Sequence, residues 1–300
     1  MHRNLYKILI GLSSIFFITA LTGFYFFPAE KELKVNFLDV GQGDSILIRA
    51  PGGQNILIDG GPDKKVLQGL GENLGWFDRK IDLMILTHPH DDHVSGLNEV
   101  IKRYDVEQIV YTGVLHSAPG FLEWLRLVKD NKIPTKIAYK GFKIDLENGA
   151  SMEVLSPEEN MLVKEAKNLN NTSLVIKLRY KDKSFLFVGD AEEEIEKRLL
   201  EENIKADVLK IGHHGSDTGS TEEFLKKVGP EIAVISVGKD NRFGHPHNRV
   251  LKRLEKLNIK VLRTDSGGNI RIVSDGQAID AYYGRPLDFF RDLVYNKLTN

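Results

Sequence analysis

Residues 86–93 read Leu-Thr-His-Pro-His-Asp-Asp-His, so that His88, His90, Asp92 and His93 follow directly on the apolar run at 81–86. Four ligand-type side chains on a tight turn behind a strand can converge on one point. A continuing strand would instead send His88 and His90 to one face and His93 to the other. Imidazole and carboxylate donors without thiolate suit zinc, manganese or iron, and a carboxylate can bridge two ions. The competing reading, a polar loop that binds nothing, leaves the clustering of histidine without a reason.

Three more clusters stand where predicted strands end. Residues 185–190, Phe-Leu-Phe-Val-Gly-Asp, close a strand on Asp190 just before helix-forming residues, where a lone Asp would ordinarily cap the helix. Residues 209–216 read Leu-Lys-Ile-Gly-His-His-Gly-Ser, and 236–247 read Ser-Val-Gly-Lys-Asp-Asn-Arg-Phe-Gly-His-Pro-His. Of the 9 histidines, all but His2 and His116 lie in such strand-terminal loops. Neighbouring strands of one sheet would bring these loops together at a single rim, the usual place for a site in α/β folds.

The patterning between the clusters supports this. Short strands are predicted at 34–37, 45–49 and 55–58, a helix at 65–74, the strand at 81–86 and a helix at 95–104. A strand at 108–113 and a helix at 121–130 follow, then a meander of short strands over 134–155 and strands at 173–178 and 184–188. Helices at 192–202, 221–228 and 248–257 then alternate with strands at 206–211, 232–237 and 259–263. The class is α/β, with two sheets packed together and helices outside. No Pro- or Ser-rich linker divides residues 30–300, which are therefore expected to form one domain. A last amphipathic segment, 286–298, is expected to pack on the body.

Residues 8–27 carry no charge and are long enough to span a bilayer. Arg3 and Lys7 precede them, which leaves the N-terminus in the cytoplasm and the rest outside. No small-x-small pair ends the run, so residues 1–29 are read as an uncleaved single-pass anchor; cleavage as a signal peptide would make the protein secreted. With 0 cysteines there are no disulfides and no lipoprotein lipid site. The chain holds 41 Lys and Arg against 42 Asp and Glu, and the first 29 residues contribute cations only, so the remainder is slightly acidic. That argues against a general nucleic-acid coat but not against a nuclease, because bound metal supplies positive charge where phosphate sits.

The run at 88–93, Ile58-Asp59-Gly60-Gly61 and Gly189-Asp190 resemble the signature motifs of the metallo-β-lactamase superfamily. More narrowly, Asp39-Val-Gly-Gln-Gly-Asp44-Ser45, His213-His214-Gly215-Ser216 and Gly244-His245-Pro246 are similar to elements of the extracellular domain of ComEC-type DNA-internalisation competence proteins. The likeness runs from about residue 34 to 275 and lacks the many membrane helices of that channel. Secreted phosphorylcholine esterases resemble the same branch.

This resemblance implies an αββα sandwich with a binuclear site of two divalent ions, zinc or manganese, at its edge. His88 and His90 would hold the first ion, Asp92, His93 and His245 the second, and Asp190 would bridge them. Asp59 would support the turn that carries the histidines, and Asp39 is placed in the same supporting role. The superfamily's further histidine for the first ion has no counterpart, since that loop reads Asn168-Leu169-Asn170-Asn171-Thr172 and His116 is distant from it. One of His213 and His214 would fill the gap while the other gives a proton to the leaving group. Two ions acidify a shared water into the nucleophile, with Asp92, His213 and His214 as the catalytic set and Asn171 and Ser216 meeting the substrate. The expected reaction is hydrolysis of a phosphodiester, in DNA or in the cell envelope, outside the membrane and with no obligate protein partner. A lactone or β-lactam hydrolase and a non-catalytic DNA or envelope binder are the competing readings.

Overall fold

The computed structural model describes residues 32–284, apart from 76, 163–165 and 167. The expected anchor at 8–27 and the segment at 286–298 lie outside the described residues. Among the described residues no helix is long and apolar enough to cross a membrane.

The first half of the chain supplies β1 (Leu33–Phe37), β2 (Ile46–Arg49), β3 (Asn55–Ile58), β4 (Lys80–Ile81), β5 (Leu83–Leu86), β6 (Asp105–Val106), β7 (Ile109–Tyr111) and β8 (Thr135–Ile137). The second supplies β9 (Lys143–Asp145), β10 (Ala150–Ser156), β11 (Val175–Tyr180), β12 (Lys183–Phe187), β13 (Val208–Lys210), β14 (Ile232–Ile235), β15 (Lys260–Arg263), β16 (Ile270–Ser274) and β17 (Ile279–Tyr283). One sheet runs β17-β16-β1-β2-β3-β5-β7-β8 and the other β15-β14-β13-β12-β11-β10-β9. Each is antiparallel in one part and parallel in the other, from β3 to β8 and from β12 to β15. The outer helices are α1 (Lys65–Asn73), α2 (Asp91–Ile101) and α3 (Pro119–Asp130) on the first sheet, and α4 (Glu193–Leu199), α5 (Glu222–Val228) and α6 (Asn248–Lys256) on the second.

Strand alternation builds the layers. Ile46, Ile48, Ile56 and Ile58 face Phe185, Phe187 and Val208 between the sheets, while Leu47 and Leu57 pack outward against Val66, Leu97 and Trp124 of the helices. Leu186 and Leu209 likewise turn outward onto Ile195, Phe224 and Leu254. Both faces of each sheet are therefore covered, giving the expected αββα sandwich.

Local departures from the sequence reading shape the site. The run at 81–86 is broken at Asp82, which takes a hydrogen bond from the backbone N–H of Asn55 on its carboxylate (2.7 Å) and gives its own N–H to the Asn55 carbonyl. The 134–155 segment is not one meander, because β8 joins the first sheet parallel to β7 while β9 and β10 edge the second. Most important, α2 begins at Asp91 and not at residue 95. His90 is the extended N-cap, and Asp91 and Asp92 occupy the first turn, where the helix N-terminus favours negative charge. Asp92 and His93 thus project from a helix rather than from the preceding turn.

Candidate metal centre

The carboxyl ends of β3, β5, β12, β13 and β14 deliver every cluster to one rim. Asp59 directly follows β3 with a left-handed backbone (φ 56°), and the chain turns through Gly60 and Gly61 beneath α2. A Cβ on Gly96 would run into the Gly60 carbonyl, and one on Gly60 into the Leu97 backbone, so the helix seats directly on the turn. The Gly60 N–H donates to the His93 carbonyl (2.7 Å) and the Gly96 N–H to the Gly61 carbonyl (2.9 Å). Asp59 locks the other side of this seat. Its Oδ1 accepts from the Thr87 N–H (2.8 Å), and its Oδ2 accepts from the Thr87 hydroxyl (2.7 Å) and from His93 Nδ1 (2.8 Å).

Asp190 occupies the centre. Its Oδ2 lies 3.3 Å from His93 Nε2, 3.5 Å from His214 Nε2, and 3.9 Å from both His88 Nε2 and His213 Nε2. Asp92 Oδ2 is 3.3 Å from His214 Nε2, and Asp92 Oδ1 is 3.9 Å from His93 Nε2. Ligand atoms of Asp92, His93, Asp190 and His214 all fall within 4.8 Å of one another. Beside the cluster, the His88 ring lies 4.1 Å from that of His93, and His88 Nε2 meets His90 Nδ1 at 3.0 Å.

The histidines are held in the form a metal needs. Asp59 accepts from His93 Nδ1 and the Ser236 carbonyl accepts from His214 Nδ1 (3.0 Å), so the Nε2 of each ring, the atom a metal would take in place of a proton, faces Asp190. His93 Nε2 and Asp190 Oδ1 are buried and have no hydrogen-bond partner. Buried polar atoms are seldom left so, and His93 Nε2 faces the Asp190 and Asp92 carboxylates, where a cation would be held. The residues therefore fit divalent metal.

The local field agrees. Burial works against a charged His214, yet Asp190 and Asp44 outweigh it and hold its pKa up at about 10. His93 is likewise raised despite burial, by Asp190, Asp59 and Asp92. Asp190 is held well below the usual carboxylate range, its burial overcome by His214 and His93. A field that stabilises two imidazolium ions stabilises a divalent cation in their place. His88 and His90 are kept neutral, chiefly by burial.

Lys210 explains how such charge is tolerated. This lysine of β13 is fully buried and pairs with buried Asp44, whose other oxygen is 3.3 Å from His214 Nδ1. Burial raises the Asp44 pKa, and Lys210 and His214 bring it below the ordinary range. The pair was not foreseen from sequence, although Asp44 and Lys210 both stand inside the quoted motifs.

The turn Gly212–Gly215 turns its two histidines apart. His213 (φ 46°) and His214 (φ 53°) are both left-handed, a strain of about 1–3 kcal/mol per residue that is characteristic of functional sites. His214 is buried among the carboxylates, whereas His213 is 25% exposed, with Nδ1 3.4 Å from Glu192 Oε1 and 3.3 Å from Thr218 Oγ1. His245 lies outside the four-residue cluster, its ring 6.4 Å from that of His214 and its Nδ1 3.5 Å from Gln42 Nε2. The cluster takes His214, one of the two histidines of which one was expected to supply a ligand.

Other expected residues are occupied elsewhere. Asn171 accepts from the Glu192 N–H (3.1 Å) and donates to Glu194 Oε2 (3.2 Å), while its neighbour Asn170 faces His213 Nδ1 at 3.5 Å. Ser216 Oγ is bonded to Thr218. Asp39 accepts from the Gly41 N–H (3.2 Å) and shapes the loop before β2 without reaching the cluster. In the loop that lacks the superfamily's histidine, Ser173 Oγ is 3.3 Å from His88 Nδ1 and accepts from the Asp190 N–H (3.1 Å). His116 comes within 6.0 Å of the His90 ring, and its Nδ1 is buried without a partner.

This sandwich and its histidine–aspartate rim define a metal-binding hydrolase, and the chain belongs to the Metallo-beta-lactamase superfamily, whose family profile matches residues 38–239. The expected likeness to ComEC-type competence proteins is borne out. ComE operon protein 3 of Bacillus subtilis is 33% identical over 81% of this chain and 33% of that protein, and Competence protein ComA of Neisseria gonorrhoeae is 30% identical over 81% and 32%. Recombination protein 2 of Haemophilus influenzae is 29% identical over 80% of this chain and 28% of its own length. The chain thus spans about a third of the length of the curated relatives it matches. Among solved structures, the metallo hydrolase Igni18 of Ignicoccus hospitalis superposes with a TM-score of 0.52 at 15% identity, over 80% of this chain and 98% of that one. YhfI of Bacillus subtilis gives 0.52 at 12%, over 79% and 98%. These likenesses show the fold.

Proposed function

We propose that this chain is a metal-dependent phosphodiesterase that cleaves DNA outside the cytoplasmic membrane, to which residues 8–27 tether it. The observation that carries the reading is Asp190, one oxygen of which is shared by His88, His93, His213 and His214 at 3.3–3.9 Å. A carboxylate so placed joins two ligand sets, His88 with His90, and Asp92 with His93 and His214. When bound, two divalent ions supply Lewis acidity and a water acidified from a pKa of 15.7 towards about 7.

The chain's own residues do the rest. Asp59 and the Ser236 carbonyl keep the lone pairs of His93 and His214 turned inward. His213, the more exposed of the two left-handed histidines and backed by Glu192, is placed to give a proton to the leaving-group oxygen. Asn170 beside it donates from Nδ2 to Glu192 Oε1 (3.1 Å) and so holds the carboxylate that backs His213. No side-chain nucleophile is needed, since Lys210 is paired with Asp44 and Ser173 is committed to His88 and the Asp190 N–H. Relatives named for competence and recombination favour DNA as substrate. The apolar run at 8–27 favours an envelope phosphodiester as the second reading.

The test measures bound metal on the full-length chain by mass spectrometry and follows hydrolysis of single-stranded DNA and bis(p-nitrophenyl) phosphate with manganese or zinc. About two ions per chain with DNA cleavage, both lost in Asp190→Ala, is the expected result. Cleavage of only the small diester moves the substrate to the envelope, and a chain without stoichiometric metal overturns the proposal.

A further inference from the structure

At the rim, the loop after β14 carries an aromatic ring that the hydrolytic chemistry does not use. Phe243 is 50% exposed, and its ring stacks on His245 with centroids 5.7 Å apart and planes 22° apart. The His245 ring in turn lies 5.6 Å from that of His213, so Phe243 stands two ring contacts from His213, whose Nε2 is 3.9 Å from Asp190 Oδ2. The Arg242 guanidinium sits 5.1 Å from the Phe243 ring centroid.

The loop that presents this ring is firmly built. Asn241 Nδ2 donates to the carbonyls of Gly238 (2.9 Å) and His245 (2.7 Å), and its Oδ1 accepts from the N–H groups of Phe243 (3.2 Å) and His245 (3.1 Å). Gln42, from the loop before β2, accepts from the Gly238 N–H (3.1 Å). A large apolar ring held in solvent by so many hydrogen bonds has the features of a recognition element on a rigid support.

Resting on the phosphodiesterase reading, we propose that Phe243 and Arg242 form a stacking platform for a nucleobase of single-stranded DNA, beside the diester bound at the metal centre. Planar bases stack on aromatic faces and on guanidinium planes alike, and such stacking tolerates any base sequence. The other ligand that aromatic faces take, a quaternary ammonium such as choline, is repelled by the Arg242 charge. A paired base has both faces covered within the duplex, so the platform selects single strands.

The experiment is fluorescence anisotropy on the full-length chain without added metal, with a labelled oligothymidylate and an abasic phosphodiester oligomer of equal length. The unaltered chain should bind oligothymidylate about tenfold more tightly, equivalent to about 1.4 kcal/mol. Phe243→Ala should erase that preference, leaving abasic affinity unchanged as its control for folding, and Phe243→Trp should keep it. Equal affinity of the unaltered chain for the two oligomers, or a preference that survives in Phe243→Ala, overturns the platform. Because turnover is not read, the two proposals fail separately. Base preference without diester cleavage retains the platform and sinks the phosphodiesterase, and cleavage without base preference does the reverse.

Discussion

Asp59→Asn changes one buried carboxylate oxygen to an amide nitrogen and preserves shape, so its consequences follow from hydrogen-bond polarity alone. If the amide nitrogen replaces Oδ1, it meets the Thr87 N–H, two donors face each other in the core, and about 1–3 kcal/mol is lost. If it replaces Oδ2, the Thr87 hydroxyl can rotate to accept, but His93 Nδ1 must accept as well. The proton of His93 then moves to Nε2 and points at Asp190, where a lone pair is needed. The second orientation is the cheaper for the fold and the more damaging for the centre. Loss of such a supporting partner ordinarily costs 10–100-fold in metal affinity, or about 1.4–2.7 kcal/mol. Competition with a chromophoric chelator measures it, with urea unfolding in excess chelator as the stability control. Metal affinity within twofold of the unaltered chain, with the fold intact, would show that Asp59 does not set the His93 tautomer. Asp59→Ala strands all three donors and should lose both stability and metal.

Two further outcomes follow from the same geometry. Lys210→Met leaves Asp44 buried beside only His214 and should cost about 3–5 kcal/mol at neutral pH, read by urea unfolding. In the unaltered chain the Asp44 pKa lies below its unfolded value, so its stabilisation is present above a pH of about 3.9 and fades as pH falls through the folded value. Without Lys210 burial dominates and Asp44 binds its proton more readily when folded, so the deficit should shrink as pH falls; a deficit constant from pH 7 to 4 refutes this account. Separately, His214→Ala should lower the metal content measured by mass spectrometry, whereas His245→Ala should leave it unchanged, since His214 and not His245 stands within the ligand cluster. Metal loss in His245→Ala alone would reverse that assignment.

Much of the architecture was legible because it rests on local pattern. The alternation of Ile46, Leu47 and Ile48, and of Phe185, Leu186 and Phe187, declares strands buried on both faces, and amphipathic helices between them complete the sandwich. Helix ends were less legible. Residues 91–94 read as loop because of their histidine and acids, yet acids in a first turn are stabilised by the helix N-terminus, and the contact of Gly96 with Gly60 pins the helix there.

Side-chain periodicity and strand-to-helix order depend only on neighbours along the chain, and they were enough to give two packed sheets with helices outside and to place each histidine-bearing loop at a strand end. Tertiary structure alone decided that His214 joins Asp92, His93 and Asp190, that Asn170 rather than Asn171 faces His213, that Lys210 neutralises Asp44, and that Phe243 stands out beside the centre. The physical reason is directional. Where a ring points depends on left-handed backbone at residues 213 and 214, and on loops from five strands meeting in space, neither of which is encoded in the spacing of residue types.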